Sequence, residues 1–151
     1  MQKLETRIPP PLVMLLCAAS GYLLARAWPW PVLLVPAWVV VALMLAGLAL
    51  NLLPKLAFRR ARTTVNPLRP AAATSLVTGG IYRHTRNPMY LGQALVLLGG
   101  MLWLGSAAAL LVVPLFVGWI TRFQILPEER VLSARFGADY AAFWRAVRRW
   151  L

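Results

Sequence analysis

A chain of 151 residues that is 60% hydrophobic and 13% charged, with a mean hydropathy of +0.67, has the length of one domain and is too apolar for an ordinary soluble protein. Its net charge of +12 would suggest nucleic acid on a soluble fold. Here the basic residues flank apolar stretches, so topology and anionic membrane lipid are the first reading and nucleic acid is not expected as a partner.

Arg26 is the one charge between Pro9 and Pro54, and there is none from Asn87 to Thr121. A helix crosses the hydrocarbon core with roughly 20 apolar residues, so each stretch has the length for two passes. The first is predicted over residues 10–27. Its apolar run continues past Ala18, Ala19, Ser20 and Gly21, so it reads as an uncleaved span rather than a removed leader. Trp28-Pro29-Trp30-Pro31 is a proline-punctuated turn with aromatics suited to the membrane interface. The second pass is predicted over 32–53, stopping at Pro54. A basic segment follows (Lys55, Arg59, Arg60, Arg62, Arg69), within a polar region carrying the turn signals Asn66-Pro67, Arg69-Pro70 and Gly79-Gly80. The third pass is predicted over 89–104, with a tight turn at Gly105-Ser106 and the fourth pass over 107–125.

Pro127 opens a last helix expected to reach the C-terminus. On it Leu132, Phe136, Tyr140, Phe143, Trp144, Val147 and Leu151 recur at spacings of three and four, which places them on one face, with Arg130, Arg145, Arg148 and Arg149 on the other. Such a helix is expected to lie at the interface, arginines toward headgroups or water. The expected fold is all-α: a polytopic transmembrane protein with about four spans and a C-terminal amphipathic helix. It forms a single membrane domain, 1–151, with an N-terminal hairpin (1–54) and a core (55–151).

Four passes put both termini and the central segment on one side. Fifteen of the sixteen Lys and Arg residues fall there, all but Arg26, and the positive-inside rule makes that side cytosolic. The expected location is an inner membrane of bacterial type, both termini in the cytosol.

Three features carry chemistry, all on that side: Leu76-Val77-Thr78-Gly79-Gly80-Ile81-Tyr82, then Arg86-Asn87-Pro88-Met89-Tyr90-Leu91-Gly92, then Glu128-Glu129. Asn87 suits an N-cap and Pro88 the first helical position. The third pass would therefore begin with free N–H groups and a positive dipole end, an arrangement that attracts anions. Arg86 adds a fork of donors for a carboxylate, and the Tyr90 ring could cover a cation. The chain has four acidic residues and two are adjacent here. Helical phase places Glu129 with Phe136, Tyr140 and Trp144, and a carboxylate on such a face requires a partner. A zwitterionic ligand with a second positive centre and an apolar ring system would use all of these groups. No GxGxxG motif supports a dinucleotide fold, and His84, the single histidine, does not make a metal site.

At these residues the chain resembles the isoprenylcysteine carboxyl methyltransferase and phospholipid methyltransferase superfamily of integral membrane enzymes. The matching pattern is Leu-Val-x-x-Gly-x-Tyr, Arg-Asn-Pro-x-Tyr-x-Gly and Glu-Glu-x-x-Leu-x-x-x-Phe-Gly-x-x-Tyr, running from Leu76 to Tyr140. The resemblance implies a methyltransferase-like core that binds S-adenosylmethionine between the cytosolic ends of the last two passes and the C-terminal segment. Leu76, Val77, Tyr82, Asn87, Pro88, Tyr90 and Glu128 would bind the cofactor, and Arg86 and Glu129 would be the catalytic pair, with Glu128 or Glu129 holding the cofactor's polar groups. The methyl acceptor would be a lipophilic or small molecule. Gln124 stands where the prenylcysteine enzymes carry an arginine, with Arg122 nearby, so a prenylcysteine is not the expected acceptor. Two competing readings are a membrane reductase related to sterol reductases and using NADPH, and a non-catalytic membrane scaffold.

Overall fold

The computed structural model describes residues 5–28, 33–60 and 75–151, and these are helical with short connections. Five helices follow in order: α1 (Pro10–Ala27), α2 (Ala37–Arg60), α3 (Pro88–Trp103), α4 (Val112–Ile120) and α5 (Leu126–Ala146). A 3-10 turn, Gly80–Arg83, precedes α3, and another, Ala108–Leu111, leads into α4. A π segment, Thr121–Ile125, joins α4 to α5 without a break, so the chain is helical from Ala108 to Ala146.

The helices behave as membrane spans. Pro10–Ala27, Ala37–Lys55 and the apolar part of Ala108–Ala146 are long and apolar enough to cross a bilayer; α3, at 16 residues, is shorter. Its rise of about 24 Å falls short of a lone span, but α3 is the central helix, packed by α1, α2 and α4. It has little lipid contact to satisfy. Large side chains face outward instead from the other helices: Leu12, Leu15, Leu16 and Leu23 on α1, Trp38, Val41, Leu45, Leu48 and Leu52 on α2, and Leu115 on α4. An apolar surface of that extent is stable against hydrocarbon and not against water. The inward faces form one core of Val13, Tyr90, Ala94, Leu97, Met101, Ala109, Val112, Phe116, Ile120 and Ile125.

Lipid supplies no hydrophobic drive between helices, so close packing must hold them together. The α2–α3 contact meets this with glycine. A Cβ on Gly47 would lie 2.6 Å from the Gly92 carbonyl oxygen, and one on Gly92 would lie 2.5 Å from that of Gly47.

The ends of the bundle differ. At one end the two short connections are tied together: Leu33 N–H donates to the Gly105 carbonyl (2.7 Å) and Ser106 Oγ to that of Trp28 (2.9 Å). Gly105, at φ +69°, makes its turn in the left-handed region. The opposite end carries the N-terminal residues, the segment before α3, the α4–α5 junction and the C-terminal tail.

Three sequence expectations are corrected. The second helix does not stop at Pro54 but continues to Arg60; a proline inside a membrane helix is tolerated where its surroundings accommodate the freed carbonyl. Pro127 does not open a separate helix. It lacks an N–H for the Phe123 carbonyl four residues back, the backbone widens into the π segment, and Thr6 N–H donates to that carbonyl instead (3.0 Å). The last helix does not reach the C-terminus, ending at Ala146 with Val147 extended, and it is kinked at Gly137 (φ 48°, ψ −117°). The expected apolar stripe is only partly buried. Tyr140 and Phe143 pack with Leu132, Phe136 and Val147 against Tyr82, Leu76, Val77 and Ile81, whereas Trp144 and Leu151 stay exposed. The buried part of that face is covered by the chain itself rather than resting on lipid. The residues of the Trp28–Pro31 turn beyond Trp28, and Arg62, Arg69 and both Pro-containing turn signals of the central segment, lie outside the described residues.

Candidate active site

The site forms where the segment before α3 meets the start of α5. Gly80, at φ +62°, lets the 3-10 turn begin. The turn buries Tyr82 against Tyr140 and Phe143, which delivers Thr85, Arg86 and Asn87 to the bundle end. Thr85 Oγ1 accepts the Asn87 N–H (3.2 Å), and Pro88 starts α3. Asn87 holds the N-cap position, but its side chain makes no capping hydrogen bond. The expected side-chain cap is therefore corrected: Asn87 Nδ2 is turned outward, donating to the Arg149 carbonyl (2.9 Å).

Across this turn stands the acidic pair. Neighbours on a helix point about 100° apart, and the two carboxylates meet different partners. Glu128 faces α3, where the Tyr90 hydroxyl donates to its Oε1. Glu129 faces the turn: Arg86 Nη2 lies 3.1 Å from its Oε1, and Arg149 grips both oxygens, Nε to Oε1 at 3.0 Å and Nη2 to Oε2 at 2.8 Å. The Arg86 side chain is 6% exposed, that of Glu129 13% and that of Arg149 32%. Arg86 also lies over the Trp144 ring, 5.2 Å from its centroid, and Nη1 donates to the Trp144 carbonyl (3.4 Å). Its Nε is buried with no hydrogen-bond partner, and a buried charged donor without an acceptor is costly unless a ligand completes it.

Glu128 follows the apolar stretch expected as the fourth pass, residues 107–125. Burial pushes its carboxyl up to about 8, opposed by the Tyr90 hydrogen bond and reinforced by the neighbouring Glu129 charge. Near neutral pH it therefore holds a proton for much of the time, while Glu129 has two cationic partners. Burial, and then the Glu128 charge, also raise the Tyr82 hydroxyl above its ordinary range.

All nine expected site residues are thus drawn to one place, in two layers. Tyr90 and Glu128 form one polar pair, and Arg86, Asn87 and Glu129 are joined through each other and Arg149; Leu76, Val77 and Tyr82 form an apolar wall with α5, and Pro88 is buried. Gln124 is fully buried in the π segment. Its Nε2 donates to the Ile8 carbonyl (2.7 Å) and its Oε1 is unpaired. Arg122 instead reaches Glu5 (2.9 Å), which Arg130 also binds. Sequence reasoning missed Arg149 as a site group by assigning it to the headgroup-facing side of a continuous helix. The short basic-aromatic run Arg148-Arg149-Trp150 was the available signal, but nothing in its spacing indicates that the chain turns back.

A helical membrane protein with an Arg–Glu–Tyr site at one end of its bundle is the class these features define. The sequence matches the phospholipid methyltransferase family over residues 35–139, and the chain belongs to that family. A Haemophilus influenzae protein, described as uncharacterized, is 46% identical over 63 residues, covering 42% of this chain and all of that protein. No solved structure matches.

Proposed function

We propose that this chain is an S-adenosylmethionine-dependent methyltransferase acting on a lipophilic or small-molecule acceptor at the cytosolic face of the membrane. The observation that carries the reading is the junction of Arg86, whose buried Nε is unpaired, with Glu129 beside it. An unused anion-binding donor next to a carboxylate matches the two ends of an amino-acid zwitterion. The donor set therefore fits the cofactor that the family implies.

When bound, S-adenosylmethionine supplies a methyl group on a positively charged sulfur. Arg86 would hold a carboxylate and Glu129 an ammonium. Asn87 and Pro88 would fix the turn, and the Tyr90 ring would lie near positive charge. Leu76, Val77 and Tyr82 would supply an apolar slot and exclude water. Methyl transfer is an in-line displacement, so alignment and desolvation are the main tasks of these residues. In its ionised fraction, which grows as pH rises toward 8, Glu128 can take up a proton at its carboxylate from an acceptor that must lose one.

Calorimetric titration of the purified protein in detergent with S-adenosylhomocysteine and with NADPH tests this. Binding of the first is the expected result; binding of NADPH alone would favour a reductase, and binding of neither a scaffold. Incubating membranes with methyl-labelled cofactor then shows which lipid or small-molecule fraction takes up the label.

A further inference from the structure

The tail, residues 147–151, occupies the groups that the reading above gives to the amino-acid end of the cofactor. After Val147 the chain turns back over the turn before α3. The Arg148 carbonyl accepts the Arg86 N–H (3.0 Å), the Arg149 carbonyl accepts Thr85 Oγ1 (3.3 Å) and Asn87 Nδ2 (2.9 Å), and Trp150 Nε1 donates to Thr121 Oγ1 (3.2 Å). Arg149 then places a two-pronged cation on Glu129.

Glu129 has roughly four lone-pair sites, and the Nε and Nη2 of Arg149 and the Nη2 of Arg86 take three of them. Of the two arginines, Arg149 is the more exposed and the one that lies beyond the end of a helix. A ligand ammonium arriving while both guanidiniums remained would meet two positive charges around one negative. With Arg149 withdrawn, it faces Glu129 with Arg86 left free for the ligand's carboxylate.

We propose that the tail is a latch in which Arg149 stands in for the ligand's ammonium. Cofactor binding exchanges one cation for the other and releases residues 147–151 from the Arg86–Asn87 turn. The exchange is feasible because the Arg149 pair is partly solvent-screened, and because residues 147–151, past the end of α5, can open locally without unfolding the bundle. This inference rests on the cofactor reading above.

The test pairs affinity with tail mobility, using S-adenosylhomocysteine as the probe. Arg149→Gln should bind it about tenfold more tightly than the unsubstituted protein, a difference of about 1.4 kcal/mol. Arg149→Lys, which keeps the charge but loses the fork, should fall between them. A nitroxide on Arg148→Cys, whose carbonyl is held by the Arg86 N–H, in a Cys17→Ser background that removes the native thiol, should be immobile in the free protein and become mobile as the probe saturates. Equal or weaker binding by Arg149→Gln overturns the latch, as does a label that stays immobile at saturation; either outcome leaves the cofactor reading standing. If the unsubstituted protein and both Arg149 variants all fail to bind, the cofactor reading is wrong and the latch falls with it.

Discussion

Two adjacent carboxylates do different work because a helix turns them toward different neighbours. Glu129 is matched with cations, so replacing it should affect charge recognition. Glu129→Gln keeps an acceptor for Arg86 but removes the charge, and loss of a charged hydrogen bond of about 1.5–3 kcal/mol corresponds to roughly 10- to 100-fold weaker binding of S-adenosylhomocysteine by calorimetry. Unchanged affinity in the folded fraction would leave Glu129 with a structural role only. Glu128 is matched with a neutral hydroxyl and burial, and its effect should appear in pH dependence. Its carboxyl titrates near 8 in the fold against an ordinary value of 4.5, so the folded state holds the proton more tightly. Stability from this group is complete below the ordinary value and declines as pH rises through about 8. The thermal midpoint in detergent should therefore fall between pH 5 and pH 9, and Glu128→Gln, which can still accept from Tyr90, should flatten that fall. Parallel curves for the two proteins would mean that Glu128 is ionised throughout. The acidic pair and the Arg-Asn-Pro turn were legible because residue type and helix phase suffice to bring them forward. Which carboxylate meets which partner was not, because that depends on the angle between two helices far apart in sequence.

At the scale of elements, packing and proline decide what local signals cannot. Gly47 and Gly92 let α2 and α3 approach so closely that an added methyl group would strike backbone on either side. Backbone cannot swing away as a flexible side chain does, so Gly47→Ala and Gly92→Ala should each cost about 1–3 kcal/mol. Gly100→Ala is the control, since its new methyl would meet only Met44 Cε at 3.9 Å. Thermal denaturation followed by size-exclusion chromatography should separate the first two from the third; equal midpoints for all three would show that the helices adjust freely. Pro54 and Pro127 were both read as boundaries, which is their effect in water. In this bundle the first sits inside α2 and is buried, and the second widens the turn before it while Thr6 takes the freed carbonyl. The sequence therefore revealed where helices lie but not where they stop. A helix stop depends on whether some other part of the chain can satisfy the exposed backbone, here an N-terminal residue more than a hundred positions away.

The span order was legible across the whole molecule because burying apolar runs in lipid leaves few alternatives, whereas the returning tail was hidden because its partners are scattered over three other segments. For the remaining degree of freedom, the orientation, charge asymmetry supplies the expectation. The bundle end that holds Arg86, Arg122, Arg130 and Arg149 is basic, and the opposite end, where Trp28 and Ser106 are joined, has Arg26 as its charge among the described residues. Moving the basic end across a membrane would carry many cations against the potential, at about 2.3 kcal/mol per charge for each 100 mV. The site should accordingly face the cytosol. In a Cys17→Ser background, Leu34→Cys places a thiol in the exposed connection at the Arg26 end, and Arg145→Cys places one at the site end. A membrane-impermeant maleimide should label the first in intact cells and the second only after the cells are opened. Labelling of Arg145→Cys in intact cells would invert the orientation and remove the site from the compartment where a nucleoside cofactor is made.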